Sequence, residues 1–109
     1  MRLTSDMWVS AYLARLRLAD IPAFVTAKGD PTAGAVIVKS NPLDGSAKAF
    51  VRAFDLASNK RRWDLLAEGD DADVEAALAR QRGFDPDLWV IEVEDREGRT
   101  LLDQPGLSE

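Results

Sequence analysis

Five short apolar stretches of β character and two of helical spacing run along this chain, in the order α-β-β-β-β-α-β. Ser5 is suited to cap a helix, and Asp6 follows in the first turn, where the helix dipole favours an acid. Trp8, Val9, Tyr12, Leu13 and Leu16 then form the apolar stripe, and Pro22 disfavours helical geometry at Ile21, so this helix is predicted to stop near Asp20. Ala23 to Lys28 is a short β-compatible stretch. Ala35 to Lys39 holds three consecutive branched residues, the pattern of a strand covered on both sides. After the turn residues Asn41-Pro42-Leu43-Asp44-Gly45, Ala47 to Phe54 is expected to return as its antiparallel partner.

Lys60 to Leu66 reads as a fourth strand, ended by Gly69. Asp70 or Asp71 is placed to cap a second helix that buries Val74, Ala77 and Leu78, with Gly83 as its stop. Leu88 to Glu94 is the last clear strand, with Trp89, Ile91 and Val93 on one face and Val90, Glu92 and Glu94 on the other. Thr100 to Leu102 would add a short strand before a tail expected to fray over 103–109. The predicted fold is α+β: one domain over 1–109, built as a mainly antiparallel sheet of about five strands with both helices packed on one face.

Composition narrows the chemistry. At 109 residues, 46% hydrophobic and 30% charged, the chain matches an ordinary globular domain. No apolar run approaches the ~20 residues of a membrane span, and the N-terminus lacks the pattern of a signal peptide, so a cytoplasmic protein with no membrane partner is expected. The chain contains neither histidine nor cysteine, which removes the usual zinc, iron and copper ligand sets and the Ser-His-Asp and Cys-His arrangements. A general base would have to be a carboxylate, a lysine or Tyr12. The balance leans away from an enzyme, and no cofactor is implied.

Three motifs require weighing. Gly29 to Gly34, GDPTAG, has the glycine spacing of a phosphate loop, but Ala35-Val36 stands where Lys-Ser/Thr is needed and a strand follows in place of a helix. It reads as a plain hairpin loop. The acids Glu92, Glu94, Asp95 and Glu97 offer oxygen ligands for Mg²⁺ or Ca²⁺, yet they lack a calcium-loop pattern and read as a solvated face. The third motif lies on the returning strand, where alternation puts Ala47, Ala49, Val51 and Ala53 on one face and Lys48, Phe50, Arg52 and Phe54 on the other. Aromatics interleaved with cations suit a docking surface for a protein partner or a second copy, and also a platform for single-stranded nucleic acid. The bland alternative is that Phe50 and Phe54 belong to the core, with Lys48 and Arg52 at its rim.

Charge is unevenly distributed. Residues 1–62 carry ten Lys/Arg against five Asp/Glu, and residues 63–109 carry four against fourteen. The halves therefore complement each other within one fold or across a homodimer, or the first half presents a basic surface. The candidate interaction residues are Lys48, Phe50, Arg52, Phe54, Lys60 and Arg62, with Arg61 added if the partner is nucleic acid. An acidic pI near 4.7 argues against nucleic acid, because phosphate attraction dominates such binding. The leading expectation is a non-enzymatic interaction module. The alternatives are a single-stranded nucleic-acid binder and a small carboxylate-dependent enzyme or Mg²⁺/Ca²⁺ site.

Taken together, the segments WVSAYLARL, GDPTAGAVIVK, NPLDGSA, RWDLLAEG and FDPDLWVIEVEDREGRTLL resemble a small uncharacterised alphaproteobacterial family known as domain of unknown function 1491. The resemblance covers nearly the whole chain and implies a stand-alone bacterial cytosolic protein. It implies no activity and carries no functional residue across.

Overall fold

A computed structural model describes residues 3–55, 57 and 60–107, without the side chains of residues 53–55 and 60. Its elements are α1 (Ser5–Leu18), β1 (Ala23–Ala27), β2 (Val36–Asn41), β3 (Ser46–Asp55), β4 (Lys60–Asp70), α2 (Asp71–Phe84) and β5 (Trp89–Glu94), in the predicted order. The boundaries shift where local signals compete with packing. Thr4, not Ser5, is the N-cap of α1, and Ser5 is buried with its hydroxyl donating to Gly34 O at 2.6 Å. Gly69 does not end β4; it sits at φ +137°, and the strand runs on to Asp70, where α2 begins. Gly83 lies within the last turn of α2 instead of stopping it. Residues 100–102 form no strand.

The five strands form one sheet in the order β1-β5-β2-β3-β4. All neighbours are antiparallel except β5 and β2, which run parallel with Val36 opposite Trp89 and Val38 opposite Ile91. The connection through α2 carries the chain from the β4 edge back to the middle of the sheet, and a crossover of this length permits a parallel neighbour.

The helices lie on opposite faces of the sheet, not together on one. On one side α1 packs Trp8, Val9, Tyr12 and Leu16 against Val36, Val38, Trp89, Ile91 and Val93. On the other, α2 packs Val74 and Leu78 against Ile37, Ala47, Ala49 and Val90. The reason is in the central strands. β2 and β5 are apolar on both sides, so a single helical layer would leave Ile37 and Val90, or their alternates, in water at a cost of about 1.5–3 kcal/mol per large side chain.

The tail expected to fray from residue 103 is packed through residue 107. Leu102 and Leu107 are buried in the α1-side core. Tyr12 Oη donates to Thr100 O at 2.8 Å, Arg15 donates to Pro105 O and Gln104 Oε1, and Trp63 Nε1 donates to Leu107 O at 2.9 Å. These bonds strap the segment across α1 and β4. Burial pushes the Tyr12 phenol well above its ordinary range, so it serves as an anchor and not as a base.

The GDPTAG segment is a packing loop and not the expected hairpin loop, because β5 lies between β1 and β2 in the sheet. A side chain at Gly29 or Gly34 would run into Asp87 O. Four of its amides are already committed: Asp30 N donates to Asp87 O, Thr32 N and Ala33 N to Asp30 Oδ2, and Gly34 N to Asp30 O. No ring of free donors remains there for a phosphate.

Candidate functional site

The alternation read on β3 is observed from Ala47 to Arg52, and both of its faces are covered in part. Ala47 and Ala49 lie under α2, where small side chains let the helix approach. Phe50 lies on the α1 side, half-buried against the Trp8–Leu16 cluster, while Lys48 is exposed on the same face. The β3–β4 register sets Phe50 opposite Leu65, Arg52 opposite Trp63 and Phe54 opposite Arg61. Trp63 therefore joins the α1 face, its ring centroid 5.5 Å from that of Trp8.

Between this part of the sheet and residues 97–104 runs a groove made of two adjoining hollows of about 680 and 320 Å³. The hollows share Phe50, Glu97, Gly98 and Thr100. Trp63 and Arg62 flank the first, Lys48 and Pro42 the second. The far wall is held by a closed turn in which Asp95 accepts from Arg99 N, Nε and Nη2 at 2.8, 3.0 and 3.1 Å. The Arg99 bonds hold the Asp95 carboxyl below its ordinary range. Arg62 is exposed and donates to Asp64 at 2.8 Å.

Of the sequence candidates, Lys48, Phe50 and Arg62 thus line one groove. Arg52 is turned away from it, its guanidinium 5.0 Å above the Trp8 ring, in a separate opening that it shares with Arg61. The side chains of Phe54 and Lys60 lie outside the described residues. Phe50 divides its surface between core and groove, so neither the display nor the burial expectation describes it alone. Trp63 and the 97–104 wall are absent from the sequence reading. Alternation along β4 sets which residues share a face with Trp63, but the register across to β3 and the return of the C-terminal segment, which nothing local predicts, bring Trp63 into the groove with Phe50.

A second polar cluster was also missed. Lys39 is 2% exposed, on the α2 side of β2. Its ammonium meets Asp71 Oδ1 at 2.6 Å, Glu75 Oε1, and Glu92 Oε1 at 3.4 Å, and Asn41 Nδ2 donates to Glu92 Oε2. Burial would by itself depress the ammonium pKa, but the bonds from Asp71 and Glu75 and the charge of Glu92 together hold it above the ordinary lysine range. A permanently charged, three-fold paired lysine is neither a nucleophile nor a base at neutral pH. Among the described residues no group of three or more carboxylates is placed to hold a metal ion, and no helix is long and apolar enough to cross a membrane.

A model of the family described as DUF1491, a protein family of unknown function, matches residues 3–103. The crystal structure of a DUF1491 family protein from Caulobacter crescentus CB15 is 38% identical and superposes with a TM-score of 0.82, covering 96% of this chain and 97% of that one. An NMR structure of a DUF1491 family protein from the same organism gives the same identity and TM-score over 96% of each chain. The solution structure of protein Atu0922 from A. tumefaciens is 37% identical with a TM-score of 0.77, over 96% of this chain and 98% of that one. No curated protein matches the chain.

Proposed function

The chain belongs to the DUF1491 family, and we propose that it acts as a non-enzymatic, cytoplasmic interaction module whose groove between β3–β4 and residues 97–104 takes a protein partner. The observation that carries this reading is the groove's construction. An aromatic floor of Phe50 and Trp63 is bordered by Lys48 and Arg62, and the opposite wall is closed by hydrogen bonds before any partner arrives. Aromatic and arginine anchors in a preformed hollow are the features that concentrate binding energy at interfaces. The cations on the rim favour a partner segment with acids beside its apolar anchor.

The other two readings have less support. Phe50 is half in the core, whereas nucleic-acid stacking needs a free ring face, and the acidic pI opposes phosphate attraction. Of the side-chain types that could serve as a general base, Tyr12 and the buried lysine, Lys39, are held by other bonds.

The test is capture from the native host by the tagged full chain at low salt, with and without nuclease. A protein retained by the parent in both samples and lost from Lys48→Glu/Arg62→Glu is the expected result. Both positions are exposed, so the double variant should keep its fold. Retention unchanged by the double variant would move the interface elsewhere, and sedimentation of the parent as a dimer that the variant dissociates would make the partner a second copy.

A further inference from the structure

The opening that holds Arg52 is separate from the groove. It has a volume of about 420 Å³ and lies between the start of α1, residues 32–36, and the β3–β4 ladder. Arg52 and Arg61 both line it, with Thr4, Thr32 and Ala33 along the other walls. The ladder register explains why they meet. Arg52 pairs with Trp63 and Phe54 with Arg61, so the two arginines are diagonal neighbours on the same face.

Their surroundings are unusual for two close cations. Arg52 is half-buried and fixed over Trp8, whose ring is itself stacked on Tyr12 at 4.9 Å. Among the described residues, no carboxylate pairs with Arg52 or Arg61. Three acids near in sequence to the lining residues are engaged elsewhere: Asp6 with Thr4 Oγ1 and Met7 N, Asp30 with Thr32 N and Ala33 N, and Asp64 with Arg62. Burial, and then the charge of Arg61, lower the Arg52 pKa to about 10, which still leaves Arg52 a cation at neutral pH. Backbone donors do not explain the opening either, because Ser5 N and Asp6 N donate to Thr32 O and Pro31 O. What it presents is a pair of guanidinium groups, one held rigid on an aromatic stack, facing a space of small-ligand size.

We propose that this opening binds the phosphoryl group of a small phosphorylated molecule, with Arg52 and Arg61 as its two-sided clamp. Guanidinium forks match phosphate oxygens in pairs, and an anion between two like charges removes the repulsion that each otherwise imposes on the other. The rigid Arg52 supplies direction, and the more accessible β4 edge lets Arg61 close from the side.

Thermal unfolding of the full chain tests this with inorganic phosphate, pyrophosphate, citrate and sodium chloride at matched ionic strength. Phosphate or pyrophosphate should raise the midpoint saturably, by roughly 5 °C at ten times its dissociation constant. That rise should vanish in Arg61→Gln and fall several-fold in Arg52→Lys, which keeps the charge but not the fork. The indole N–H signal of Trp8, beneath Arg52, should move on pyrophosphate addition in the parent and stay still in Arg61→Gln. The native NMR dispersion of Arg61→Gln without ligand establishes that the loss is not one of folding, and Arg52→Lys provides the independent reading if it is. The proposal is overturned by no rise with either phosphate, by an equal rise with sodium chloride or citrate, by an undiminished rise in Arg61→Gln, or by binding of an oligonucleotide without binding of pyrophosphate.

Discussion

Two cations on opposite faces of one sheet have been treated in opposite ways. Lys39, under α2, is almost fully buried and meets three carboxylates from two different elements. Arg52, on the α1 face of the adjacent strand, is half-buried and faces an aromatic ring and another arginine. A buried charge is tolerated only with compensation, and here one face provides it internally. The difference separates roles. Lys39 is spent on joining β2, α2 and β5, whereas Arg52 and Arg61 keep unspent capacity for an anion.

The largest expected effect comes from breaking the compensated side. Lys39→Met should destabilise the protein by about 3 kcal/mol in urea unfolding, because it leaves three carboxylates facing one another. Adding Glu75→Gln and Asp71→Asn should recover part of that loss. A Lys39→Met variant as stable as the parent would mean that the cluster is not compensating a buried charge. On the other face the sign reverses. Arg61→Gln should raise stability by about 0.5 kcal/mol in anion-free, low-salt buffer, since it removes a like-charge neighbour. A loss of stability there would show that Arg61 has a structural partner and would erase the contrast.

The finest test is a comparison of slopes at high pH. The Lys39 pKa is raised above its ordinary 10.5, so its contribution is fully present below that value. It is lost as pH rises through the folded-state pKa, because the folded protein then holds the proton longer than the unfolded chain. The Arg52 pKa is lowered from the ordinary arginine range to about 10, so the folded protein releases its proton first, and stability from this group rises as pH climbs above about 10. Unfolding measured from pH 9 upward should therefore show the parent losing its advantage over Lys39→Met and gaining relative to Arg52→Gln. Parallel curves would contradict both assignments.

Much of the architecture was legible because it is written in consecutive residues. The branched run Val36-Ile37-Val38, the alternating LWVIEVE and the Trp8-Tyr12-Leu16 spacing each state an element and its apolar face within one window. The two-sided burial of β2 was also legible from that run. Its consequence, a helix on each face, depends on where β5 inserts, which no local pattern specifies. The candidate site was half legible. Alternation grouped Lys48 with Phe50, but the register across to β4 and the return of residues 97–104 brought Trp63 and Arg62 to the groove and turned Arg52 away from it.

By itself, then, the amino-acid order determined the elements, their order, the small and aromatic faces of β3, and the absence of histidine and cysteine chemistry. Only the tertiary structure decided which cation would be neutralised. Lys39 finds Glu75 and Glu92 at 36 and 53 residues' separation, through a crossover that places β5 beside β2. Periodicity follows from the backbone geometry of neighbouring residues, whereas a counter-ion is assigned by topology, through groups that are distant in the chain until the sheet closes.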